Sequence, residues 1–123
     1  MTSQQPTQAP SILITDDNRD AVEVLSTFLE VSGYGTVCAY SAPEALEALD
    51  AHAGIACVIS DVRMPLLDGF DFLRVVKHRF PKLKVVLVTG HEITNEDVVP
   101  AGATILRKPV DLEHLLAIVS NRD

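Results

Sequence analysis

The chain has 123 residues, 47% of them apolar, and its 17 acidic side chains outnumber its 10 Lys and Arg, giving a formal net charge of −7. That length suits one compact domain, and the acidic balance argues against a ligand made of phosphate backbone or anionic lipid, either of which needs basic patches. No apolar stretch approaches the ~20 residues of a bilayer span, and the first residues lack the basic start and apolar run of a secretory signal. A cytoplasmic protein with no membrane contact is therefore the expectation. The two cysteines, Cys38 and Cys57, lie in apolar runs without metal-ligand spacing and read as small buried hydrophobes.

Residues 1–10, polar and rich in Gln, Pro and Thr, read as a disordered tail; one domain is expected over 11–121. Residues 12–15 (Ile-Leu-Ile-Thr) form a short apolar, β-branched run that suits a strand covered on both faces. Asp16-Asp17-Asn18 stops it. Val22, Leu25, Phe28, Leu29 and Ser32 then recur at helical spacing, and Gly33 supplies a C-terminal cap. A second strand is predicted over 36–40. Ser41-Ala42-Pro43-Glu44 is a capping box with proline in the first turn, opening a helix that buries Ala45, Leu46 and Leu49. A third strand, 55–60, runs directly into Asp61. After a loop at 66–69, with Pro65, Asp68 and Gly69 reading as turn and cap chemistry, Asp68 caps a helix running to about Phe80. Strands follow at 84–89 and 104–107, and Asp111 caps a last helix carrying Leu112, Leu115, Leu116 and Val119. Strands that are continuously apolar and alternate with helices predict a doubly wound parallel α/β sheet with helices on both faces.

In such sheets, ligands bind beyond the carboxyl ends of the strands. Asp16 and Asp17 follow the first strand, Asp61 the third, Thr89 ends the fourth, and Lys108-Pro109 follows the fifth. Three carboxylates, one hydroxyl and one ammonium are thus expected on one edge. Crowded carboxylates raise one another's pKa unless a cation sits among them, and an oxygen-only, half-open site suits Mg2+. A carboxylate is a competent nucleophile toward phosphorus. Lys108, Thr89 and a metal could provide the positioning and charge stabilisation that phosphoryl transfer needs.

Asp16-Asp17, then Asp61-Val62-Arg63-Met64-Pro65-Leu66-Leu67-Asp68-Gly69, then Thr89-Gly90 and Lys108-Pro109 resemble the receiver-domain family of response regulators, over about residues 11–120. The resemblance implies a five-stranded flavodoxin-like sheet of order 2-1-3-4-5. It implies that Asp61 is the phosphoacceptor and a metal ligand, with Asp17 ligating directly, Asp16 through water and Arg63 through its backbone carbonyl. Lys108 and Thr89 would contact the phosphoryl group, and the Lys108-Pro109 bond would be cis. It further implies Mg2+ as cofactor, a sensor histidine kinase as donor and slow autodephosphorylation. A downstream protein partner with no direct DNA binding is expected, because nothing after the last helix could form a DNA-binding output.

The chain departs from that pattern at Ile105, where an aromatic residue is usual three before the lysine, and between Thr89 and Lys108, which is short. The fourth helix, within 92–100, is therefore expected to be short or irregular. The resemblance also implies that Arg63 and His91 occupy positions that, in the family, tune the acyl-phosphate lifetime. Arg63→Ala is expected to change the dephosphorylation rate more than the stability; equal phosphoryl lifetimes, followed by intact mass, would count against this. Three other readings compete. A degenerate receiver acting only as an interaction module would lack one of the acids. An aspartyl-nucleophile phosphatase would want an acid where Arg63 stands. A flavin-binding domain would want a Ser/Thr/Gly-rich loop in place of Asp16-Asp17.

Overall fold

The computed structural model describes residues 11–63, 68–90 and 103–120. Five strands, β1 (Ser11–Thr15), β2 (Gly35–Ala39), β3 (Ile55–Asp61), β4 (Lys84–Thr89) and β5 (Ala103–Arg107), form one parallel sheet of order β2-β1-β3-β4-β5. Helices α1 (Arg19–Val31), α2 (Ala42–Ala51), α3 (Gly69–Arg79) and α4 (Leu112–Ser120) connect or follow them. The expected α/β class and strand order are those observed. The short helix expected within 92–100, the 1–10 tail, Pro65 and His91 lie outside the described residues.

The apolar strands are sorted by pleat into two cores. Leu13, Val58, Val85 and Leu87 face α2 and α3, packing with Ala45, Leu49, Phe72, Leu73 and Val76. Ile12, Ile14, Ile59, Val86 and Val88 face the other way, packing with Val22 and Leu29 of α1 and Leu115 of α4. Both faces are covered, which is why the strands show no apolar–polar alternation.

The helix ends follow local chemistry. Asn18 caps α1, its side chain accepting from the Ala21 N–H at 3.1 Å. Gly33, at φ 102°, ends it, with Gly33 N–H donating to Glu30 O and Tyr34 N–H to Leu29 O, the paired bonds of a Schellman turn. Ser41 Oγ accepts from Glu44 N–H at 3.2 Å, while the Glu44 carboxylate reaches back to Tyr40 N–H at 3.1 Å, one residue before the position a capping box would use. Asp68 and Asp111 cap α3 and α4 through Asp71 N–H and through Glu113 and His114 N–H.

The cysteine expectation holds for one residue and fails for the other. Cys57, on the central strand β3, is buried, and burial pushes its thiol up to about 11. Cys38 is exposed, because β2 is an edge strand flanked on one side only. Iodoacetamide on the native protein at neutral pH is therefore expected to give a single adduct, at Cys38, since alkylation requires an accessible thiolate. Two adducts before unfolding, read by intact mass, would contradict this burial.

Candidate functional site

The parallel sheet delivers the ends of β1, β3, β4 and β5 to one edge. β1 stops at Asp16 because its Oδ1 accepts the Asn18 N–H at 3.0 Å, a side-chain turn that diverts the backbone from the ladder. Asp16 is 7% exposed, whereas Asp17 faces solvent. Asp61 ends β3, opposite Val88 of β4. One carboxylate oxygen from each of Asp16, Asp17 and Asp61 lies within 4.8 Å of the others.

Lys108 enters from the far side. Its backbone N–H donates to Thr89 O at 2.8 Å, and the bond to Pro109 is cis. Its Nζ lies 3.3 Å from Asp61 Oδ2 and 3.7 Å from Asp16 Oδ2. Asp61 Oδ1 accepts the Arg63 N–H at 3.2 Å, so the two oxygens of Asp61 have different partners. The Arg63 side chain is exposed. Thr89 is buried at the end of β4, the strand next to that of Asp61.

The Lys108 ammonium thus serves two of the three carboxylates, Asp16 and Asp61. Burial is the main reason that Asp16 is pushed up to about 6; the Asp61 charge and the Asp17 side chain push the same way, against the Asn18 N–H and Lys108. A divalent cation would relieve this. Oxygens bound to Mg2+ at about 2.1 Å stand about 3 Å apart when adjacent and about 4 Å when opposite, so the three acids, within 4.8 Å of one another, would draw closer around the ion. The donor set, all oxygen and open on the Asp17 side, fits a hard cation.

Asp16 also sets a pH dependence. Its folded pKa is raised above the ordinary 3.8, so the native state binds the proton more tightly. The stability this confers is complete below about pH 4 and is lost as pH rises towards 6. Without divalent ions, Asp16→Asn is therefore expected to be more stable than wild type at pH 7 by about 1–2 kcal/mol, at 1.36 kcal/mol per pK unit and allowing for the pairing lost with Lys108. The gain should shrink towards zero at pH 4. Urea midpoints at the two pH values test this, and an equal gain at both would refute it.

Two residues at the site have roles that the sequence reading did not assign. Asn18 caps α1, and the strong N-cap preference of Asn is the signal for it. Gly69 was read as turn chemistry; it is instead a point of close backbone approach. A Cβ on Gly69 would stand 2.6 Å from Val62 Cα and 2.7 Å from Asp61 O. No periodicity in the sequence reports that contact.

Residues 12–120 match the family model for the response regulator receiver domain. The chain is 38% identical over 117 residues to "Response regulator Rre1" of Synechocystis sp., covering 90% of this chain and 50% of that protein. It is 35% identical over 115 residues to "Response regulator protein FleR" of Pseudomonas aeruginosa, covering 91% and 24%. The chain spans half or less of the length of both. Among solved structures, a response regulator receiver domain protein from Clostridium thermocellum superposes with a TM-score of 0.83 at 32% identity, covering 89% of this chain and 90% of that one.

Proposed function

Because the chain belongs to the response regulator receiver domain family, we propose that it accepts a phosphoryl group on Asp61 from the phosphohistidine of a sensor histidine kinase. The observation that carries this reading is the meeting of Asp16, Asp17 and Asp61 from two strand ends, with Lys108 in contact with Asp61. An Asp61 carboxylate oxygen attacks phosphorus, the P–N bond of the donor breaks, and the imidazole leaves. Lys108 pairs with the phosphoryl oxygens as negative charge collects there, and Thr89 offers a hydroxyl from the adjacent strand. Asp16, Asp17, Asp61 and the Arg63 carbonyl would hold Mg2+, which when bound offsets the charge of the carboxylates and of the entering phosphoryl group. Water later attacks the acyl phosphate slowly, releasing phosphate and regenerating the Asp61 carboxylate.

A protein donor is supported by the surface beside the cluster. A groove of about 410 Å³, walled by Val24 and Leu25 of α1 and by Val110 and Leu112, opens next to Asp61. Val24 is 60% exposed on its rim. Apolar surface of this kind favours a docking protein. The net charge of −7 supports output through a protein partner and not through DNA. Among the described residues no helix is long and apolar enough to cross a membrane, in keeping with a cytoplasmic site of action.

Incubation with magnesium and acetyl phosphate tests the reading. Intact mass should rise by one phosphoryl group, and chelation of the metal should prevent it. A chain that stays unmodified under conditions in which the small donor is intact would overturn it.

A further inference from the structure

There is no slack between α3 and the backbone that carries Asp61. Gly69, the first residue of α3, sits so close that a Cβ would meet Val62 Cα at 2.6 Å and Asp61 O at 2.7 Å. Its N–H donates to Val62 O at 2.7 Å. The same turn is fastened to the Asp61 side chain, whose Oδ1 accepts the Arg63 N–H at 3.2 Å. Behind Gly69, Phe72, Leu73 and Val76 are fully buried in one cluster with Val58 and Val62. β5 offers less. It lies at the sheet edge, and its Ile105 is half-buried, an aliphatic side chain with no ring to swing between core and solvent.

We propose that α3, held through Gly69, is the element that reads whether Asp61 is phosphorylated. The inference rests on Asp61 being the phosphoacceptor. When an Asp61 oxygen bonds to phosphorus and the donor's bond to phosphorus breaks, the carboxylate charge passes to the phosphoryl oxygens. Asp61 then offers the Arg63 N–H only a neutral acceptor. Charge-assisted hydrogen bonds are about twice as strong as neutral ones, so the turn loosens at Arg63. Val62 moves with it, and Gly69 has no free space in which to absorb the motion. Close-packed contacts answer such shifts by repacking as a unit. The outward side chains of α3, Asp71, Arg74 and His78, are exposed and carry the change to the surface.

Amide hydrogen exchange in the presence of magnesium and excess acetyl phosphate tests this, with intact mass of the same sample giving the fraction phosphorylated. Amides of residues 68–76 are expected to exchange about threefold faster or more in the phosphorylated protein, with a smaller change over 103–107. Asp61→Asn, treated identically, should show no change. Full phosphorylation with unaltered exchange over 68–76, or with the larger change over 103–107, overturns the inference. Absence of any mass gain removes the phosphoacceptor reading itself, and the inference with it.

Discussion

Asp61→Asn is expected to abolish phosphoryl incorporation from acetyl phosphate while leaving the fold intact. The amide has nearly the shape of the carboxylate, and its oxygen still accepts the Arg63 N–H that Asp61 Oδ1 holds at 3.2 Å. It is not a competent nucleophile toward phosphorus. It also removes one of the three carboxylates that would hold the metal. The rate should fall more than ~10³-fold, over about 4 kcal/mol of barrier. Stability at neutral pH should not fall, because the Asp61 charge is one of the causes that push Asp16 up to about 6. Lys108 keeps Asp16 as a partner at 3.7 Å. Intact mass at a time when wild type is fully converted, with a urea midpoint measured in parallel, separates lost chemistry from lost fold. A folded variant that still gains a magnesium-dependent phosphoryl group would move the acceptor elsewhere.

Gly69→Ala is expected to destabilise the protein by about 2–3 kcal/mol, the upper part of the usual range for forcing extra volume into a packed site. The sign is the informative part. In a helix, replacing Gly by Ala at an unobstructed position stabilises by up to about 1 kcal/mol, through propensity and through the unfolded chain. Here the new methyl would stand 2.6 Å from Val62 Cα and 2.7 Å from Asp61 O. Both are backbone atoms and have no rotamer by which to escape. Either α3 withdraws and loses the 2.7 Å bond from Gly69 N–H to Val62 O, or the end of β3 shifts and Asp61 loses its aim. Phosphorylation by acetyl phosphate should slow as well, since misplacing a reacting group by about 1 Å costs on the order of 10²-fold. A urea midpoint at or above that of wild type would show that the helix yields without cost.

Much of the fold can be read from the residues in order. Ile12 to Thr15, Ile55 to Ser60 and Lys84 to Thr89 are largely apolar runs, and their alternation with helical segments points to parallel strands covered by helices on both faces. The caps at Ser41, Asp68 and Asp111 are equally local, because a side chain and an amide two or three residues on need nothing else to meet. Periodicity is blind to an element's place in the sheet. Cys38 and Cys57 look alike in sequence, yet edge strand β2 exposes one and central strand β3 buries the other.

Sequence alone, then, determined the order and type of the elements and the presence of acids, a threonine and a lysine at the strand ends, because these depend on neighbours along the chain. Only the tertiary structure decided that Asp16, Asp17 and Asp61 come within 4.8 Å and that Lys108 reaches both Asp16 and Asp61. It alone decided that burial raises Asp16 and that Gly69 presses on the backbone of Asp61. Those facts are distances between segments far apart in the chain. They are set by strand order and by close packing, to which no local pattern is sensitive.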